Sequence, residues 1–361
     1  MIDFRYHIVS LIAVFLALAV GVVLGAGPLR GSLGEQLTAQ IETLREEKEA
    51  LRVELEAAAA ANEDMVEFVD AAAPTLLQDA LAETGVAVVE LPGAQGSQVE
   101  ALLERVSQAG GTLVGHVRMT PRWTDAAESA PRDEVAVAVG EQMLIPPADD
   151  TPPSQVLGQG LAISLTERDP LSSSSFTTSA RTIYETLLEE QLVEEVEALS
   201  VPADVVLLVA PASSEPAEGE ADAVAAVVAL EVDTITGFAG RNAVLAGTDA
   251  LPSDLVDAVR ADADAAEAVS TVDSIEVVTG QVIAPLVLAA TARGVGVDHY
   301  GLEPGAAAVL PALPPPPEDP SGEESDEPGT DGTDGDESSG TDDADGTQAP
   351  DDAEASAGAT S

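Results

Sequence analysis

Residues 86–117 read VAVVELPGAQGSQVEALLERVSQAGGTLVGHV, and their pattern decides the fold. Val86–Leu91 is a short apolar run closed by Pro92-Gly93, which reads as a strand and a turn. Val99–Val106 has helical spacing, with Leu102 and Leu103 facing inward and Gly110-Gly111 ending the segment. Thr112–Val117 is apolar again and predicts the next strand. Strand, helix and strand within about thirty residues predict a βαβ unit with parallel strands.

The same alternation continues toward the C-terminus. A helix is expected over Ala180–Leu199, and a buried parallel strand over Asp204–Val209, where the run is almost wholly apolar. An acidic turn at Glu215–Glu220, a helix over Ala221–Leu230 and a strand over Ala243–Gly247 follow. Ser253–Arg260 predicts a helix capped by Ser253. Ser270–Val272 is a short strand and Val277–Arg293 an apolar helix, too short and too interrupted by Thr279, Gln281, Pro285 and Thr291 to span a bilayer. The proline- and acid-rich stretch Pro121–Pro153 reads as a loop or small excursion. The fold class is therefore α/β, a layered domain with a mostly parallel sheet.

Toward the N-terminus the pattern changes twice. Leu37, Ile41, Leu44, Lys48, Leu51, Leu55, Ala58, Asn62, Met65 and Val69 follow a 4-3 spacing among charged neighbours such as Glu42, Arg45, Glu46 and Glu49. That is the signature of a coiled-coil stalk, with Leu37, Ile41, Leu44, Leu51 and Leu55 as the self-association seam and a homo-oligomer as the expected partner. The bland alternative is one long amphipathic helix lying on its own domain. Pro74 is expected to break this helix. Before it, Ile8–Gly27 reads IVSLIAVFLALAVGVVLGAG, without a charge and with Ser10 as its one polar side chain. At about 1.5 Å per residue it covers the ~30 Å of a bilayer's hydrocarbon. Phe4, Arg5, Tyr6 and His7 stand at one interface and Arg30 at the other. The run is longer than a signal-peptide core, so it is read as an uncleaved single-pass anchor with the lipid bilayer as partner, the amino end inside and the bulk of the chain extracytoplasmic. The organisation is then anchor 1–30, coiled coil 31–72, α/β domain 73–313 and a disordered acidic tail 314–361, since 318–354 hold many acids and no base.

Fourteen basic residues against 65 acidic ones give a formal charge of -51, which repels nucleic acid. There is no cysteine, hence no disulfide and no thiolate ligand for a metal. No nucleophile elbow, phosphate loop or H-E-x-x-H helix occurs, and Gly158, Gly160, Gly294 and Gly296 complete no dinucleotide fingerprint, so the chain is read as a non-enzyme. The metal-ligand candidates are weak: His116 and Met119, three apart near a strand end where side chains alternate, and His299, whose plainer role is a hydrogen-bonded structural histidine. Ser270, Thr271 and Asp273 sit at a strand end before the last helix. Asp273 or Ser274 either caps that helix or belongs to a loop that meets a ligand or partner.

The opening MIDFRYHIVSLIAVFLALAVGVVLG, the heptads, Pro92-Gly93-Ala94, Ala109-Gly110-Gly111, GRNAVLAG (240–247), STVDS (270–274) and HYG (299–301) together resemble the actinobacterial MctB family over about residues 1–311. The resemblance implies copper transport or homeostasis, with copper as the ion handled and the outer envelope as a location. It also implies, through a corynebacterial branch, an alternative role as a scaffold for daughter-cell separation with a membrane-protein partner upstream of a peptidoglycan hydrolase. Where the family pattern carries Asn after STVD, this chain has Ser274. One apolar helix encloses no pore, and the alternating ten-residue strands of a membrane barrel are absent from the sequence, so transport would need oligomers or a partner.

Overall fold

The apolar run and the heptads lie on one uninterrupted helix, α1 (Phe4–Leu77), whose 74 residues make about 110 Å of helix at the usual rise. The computed structural model describes residues 4–212, 216–217, 219–248 and 254–312, without the side chains of 26–34. The expected Ser253 cap and the 314–361 tail lie outside them. Phe4–Gly25 is apolar and long enough to cross a membrane, and none of it is buried against protein. Leu37, Ile41, Leu44, Leu51 and Leu55 are likewise exposed, at 48% to 70%.

Pro74 was expected to break α1 and does not. A proline in a helix loses one hydrogen bond, but Pro74 falls in the last turn, between Ala73 and Leu77, both fully buried in the domain. Burying one leucine is worth about 1.5–3 kcal/mol, enough to offset that loss. The end of α1 is therefore part of the α/β domain, and an ion pair between Asp70 and Arg105 fastens it.

The domain follows as β1 (Gly85–Glu90), α2 (Gly96–Gln108), β2 (Thr112–Met119), α3 (Ser129–Gln142), α4 (Pro153–Thr166), β3 (Arg168–Asp169), β4 (Ser172–Phe176), α5 (Thr178–Glu189), β5 (Val193–Glu197) and β6 (Val205–Val209). It continues with α6 (Ala221–Thr236), β7 (Ala243–Ala246), α7 (Leu255–Ala261), α8 (Ala263–Ala268), β8 (Ser270–Val272), α9 (Val278–Ala292) and β9 (His299–Tyr300). Seven strands form one sheet in the order β5-β2-β1-β6-β7-β8-β9, while β3 and β4 make a separate hairpin. Every pairing in the large sheet is parallel except β2 with the edge strand β5. Alternate residues serve opposite cores. Val86, Val88, Val205 and Leu207 pack with Leu77, Leu102 of α2 and Ile283 of α9. Ala87, Val89, Val206 and Leu208 pack with Trp123, Leu161 of α4, Ile183 of α5 and Val259 of α7.

Two expectations change. The stretch expected as loop over Pro121–Pro153 contains α3, and Pro153 opens α4. Pro153 is the first residue of α4 and Pro131 the third of α3, and both are tolerated because the first turn needs no donor from them. The helix expected over Ala180–Leu199 ends at Glu189, and after Gln191 at a positive φ of 55° the chain returns as β5. Pairing with β2 overrides the helical preference of VEEVE, and Arg118 helps by lying 4.0 Å from Glu194. The cap of α7 is Asp254, whose side chain accepts from the Val256 N–H.

Gly158 has a packing role. A Cβ there would lie 2.1 Å from the Thr234 carbonyl, so α4 and α6 touch backbone to backbone. Trp123 Nε1 donates to Thr234 Oγ1 at 3.0 Å in the same place. Gly158→Ala is expected to lower stability by about 1–3 kcal/mol through overpacking, read as a reduced urea midpoint at unchanged slope.

Candidate functional site

Strand order fixes where a ligand would enter. From β1 the chain moves outward to β2, and from β6 it moves the other way to β7, so the order reverses between β1 and β6. In open parallel sheets the crevice beyond the strand ends at such a point is the natural binding place. A cavity of about 360 Å³ lies there, lined by Pro92 after β1, Pro211 and Ala212 after β6, Glu220 and α6 from Ala223 to Glu231, and Asp254 and Leu255 at the start of α7.

Two carboxyls shape this crevice. Glu231 is 2% exposed, and its Oε1 has no hydrogen-bond partner among the described residues. Burial, reinforced by the charge of Asp254, pushes its carboxyl up to about 7. Asp254 is buried; its Oδ1 accepts from the Val256 N–H at 3.3 Å, and Thr248 Oγ1 donates to its Oδ2 at 3.4 Å. Further along the same strand ends, partial desolvation pushes up the carboxyl of Glu276, an exposed residue, with Asp273 and Asp254 adding to the effect. Sequence reading passed over Glu231 and Asp254. The available signal was a lone acid within the Ala/Val run AVAAVVALEV (223–232).

The candidate ligands named from sequence fall elsewhere. His116 and Met119 lie on opposite faces of β2. Met119 is buried in the core beside Trp123, whereas His116 is registered with Val88, which faces the other core. His116 Nε2 stands 2.7 Å from Glu90 Oε1 but out of line for a hydrogen bond. Arg118 Nε donates to Glu90 Oε2 at 2.6 Å and its Nη2 to Oε1 at 3.1 Å. That hydrogen bonding is the main reason the Arg118 guanidinium is held above its ordinary value. Buried Glu90 is thus neutralised by a half-exposed arginine.

The STVDS and HYG segments meet around Arg260 of α7. Its Nε donates to Thr271 Oγ1 at 2.9 Å, its Nη2 donates to the Tyr300 carbonyl at 2.9 Å, and Nη2 lies 3.0 Å from Asp273 Oδ2. Asp273 Oδ1 accepts from Ser274 Oγ at 2.9 Å and from the Leu302 N–H at 2.7 Å. His299 Nδ1 is 3.0 Å from Thr271 Oγ1, and burial, with the nearby Arg260 charge, lowers its pKa. Ser270, Thr271 and Asp273 are all buried. Gly301 has φ +146°, and a Cβ there would lie 2.1 Å from Asp273 Cγ, so glycine admits the carboxyl. Neither Asp273 nor Ser274 caps α9; the N-cap residue is Val277, without a side-chain bond. Arg260 draws the acid inward instead. Among the described residues no three His, Cys, Asp or Glu side chains stand together as a metal cluster.

The geometry defines an α/β protein with a parallel sheet and a carboxyl-bearing switch-point crevice, joined to an apolar N-terminal helix of membrane-spanning length. The chain belongs to the family described as copper transport outer membrane protein, MctB, whose pattern matches residues 1–311. It is 30% identical over 327 residues to the copper transporter MctB of Mycobacterium tuberculosis, covering 86% of this chain and 99% of that protein. The namesake of Mycobacterium leprae is 29% identical over 325 residues, with the same coverage.

Proposed function

We propose that this protein serves copper homeostasis as a single-pass envelope protein, its α/β domain held outside the cytoplasm by Phe4–Gly25, and that it works without catalytic turnover. The likeness to proteins named copper transporters, over nearly their whole length, carries this reading. A single apolar helix encloses no conduit, so copper passage would need several copies or a membrane partner. Copper itself is cargo here, not a resident cofactor. With no cysteine in the chain, its ligands would come from histidine, methionine or carboxylate, brought together between chains. A deletion strain is expected to lose copper tolerance and to regain it with the full chain, but not with one lacking residues 4–25. Unchanged copper tolerance with chained, unseparated cells would overturn the copper role.

Self-association belongs to the same proposal. Leu37, Ile41, Leu44, Leu51 and Leu55 are exposed along α1 at heptad spacing, and copies anchored in one membrane by the same end meet in parallel. The cysteine-free chain makes a clean test. In membranes under mild oxidation, Leu44→Cys is expected to give a disulfide-linked dimer and Glu46→Cys, on the opposite helix face, at least tenfold less. Equal yields from the two positions would remove the seam.

A further inference from the structure

Glu231 is expensive to bury, and its Oε1 finds no compensating hydrogen bond among the described residues. A carboxyl removed from water is ordinarily paired, and an unpaired one marks a site where something else completes it. Glu231 Oε1 has no hydrogen-bond partner among the described residues, the residue is 2% exposed, and it borders the 360 Å³ cavity. Val227 and Ala223, one and two turns earlier on α6, line the same cavity, so the carboxyl ends an apolar channel on one helix face.

The lining sets the chemistry. Among the described residues no basic side chain borders the cavity, whereas Glu220, Glu231 and Asp254 do, which disfavours an anion. Among the described residues no His or Met borders it either, so they offer no soft copper ligand. Calcium and magnesium take six or more oxygen ligands, and the mostly apolar walls do not supply them. An alkylammonium fits both halves: three N–H donors for the carboxyls and a hydrocarbon body for the valines.

We propose that the switch-point crevice binds a small organic monocation, a primary ammonium on an apolar body. Glu231 and Asp254 receive its N–H donors, and Val224, Val227, Val228 and Leu255 hold its hydrocarbon part. Binding favours ionised Glu231, so the site gives up a proton to the solvent as the cation enters; Glu220 and Asp254 are the other titratable groups lining it among the described residues. This assignment is independent of the copper role.

The test uses the full chain in lipid nanodiscs at pH 7.5, titrated calorimetrically with cyclohexylamine, cyclohexanol, cyclohexanecarboxylate and Cu²⁺, with empty nanodiscs subtracted. Cyclohexylamine is expected to bind one to one, and the alcohol and the acid at least tenfold more weakly. Glu231→Gln is expected to weaken the amine at least tenfold. Val227→Lys supplies an ammonium one turn from Glu231; it is expected to abolish amine binding and to melt several degrees above Val227→Met at pH 8. The proposal is overturned if the alcohol matches the amine, if Glu231→Gln leaves affinity unchanged, if Val227→Lys melts below Val227→Met, or if Cu²⁺ displaces the amine from the wild-type chain.

Discussion

Asp273→Ala is expected to destabilise the domain by about 3–5 kcal/mol, the usual result of stranding one member of a buried ion pair. Asp273 is fully buried and the Arg260 side chain only 6% exposed, so the guanidinium left behind cannot recover its hydration. The same substitution orphans the Leu302 N–H, which donates to Asp273 Oδ1 at 2.7 Å. Asp273→Asn keeps an acceptor for that N–H but removes the charge, and should fall between the wild type and Asp273→Ala. The double variant Arg260→Met/Asp273→Leu should recover much of the loss, because replacing both charges by apolar groups is often neutral. Urea unfolding of these proteins together with the single variants Arg260→Met and Asp273→Leu measures the coupling. A loss below about 1 kcal/mol for Asp273→Ala would show that the motif segments are held by packing alone.

Glu231→Gln is expected to abolish a fall in stability between pH 4.5 and 7. The folded carboxyl titrates at about 7 against an ordinary value of 4.5, so the folded state holds this proton more tightly than the unfolded chain. Its contribution is complete below the unfolded value and disappears as pH rises through the folded one. The difference corresponds to about 3 kcal/mol. Glutamine carries no charge at any pH, so the variant should match the wild type near pH 4.5 and exceed it by up to that amount at pH 8. Paired unfolding curves across this range decide the matter. Parallel pH profiles for the two proteins would mean that Glu231 is solvated in the folded state.

Much of the architecture was legible in short stretches of sequence. The run 86–117 specified β1, α2 and β2, because short apolar runs bounded by the Pro92-Gly93 turn and by Gly110-Gly111 flank a segment of helical spacing. Buried parallel strands such as VVLLV (205–209) have few alternatives. The misread segments share a cause. VEEVE (193–197) is a strand only because β2 offers an edge, and the prolines at 131 and 153 lie in the first turns of helices whose faces are defined by partners distant in the chain. The site was harder still. Glu231 looked like one more surface acid among 65 acidic residues, and only its position at the end of the β1–β6 crevice makes it unusual.

Sequence by itself determined the apolar span, the heptad stripe, the βαβ repeat and the family, since each rests on local periodicity or on motifs readable in order along the chain. Tertiary structure alone decided that Pro74 lies inside α1, that His116 and Met119 are separated by the sheet, that Arg260 gathers the STVDS and HYG segments, and that Glu231 faces a cavity. The physical reason is range. Helical and strand propensities act over a few residues, whereas burial and charge pairing depend on which distant groups the packed sheet brings within a few ångströms.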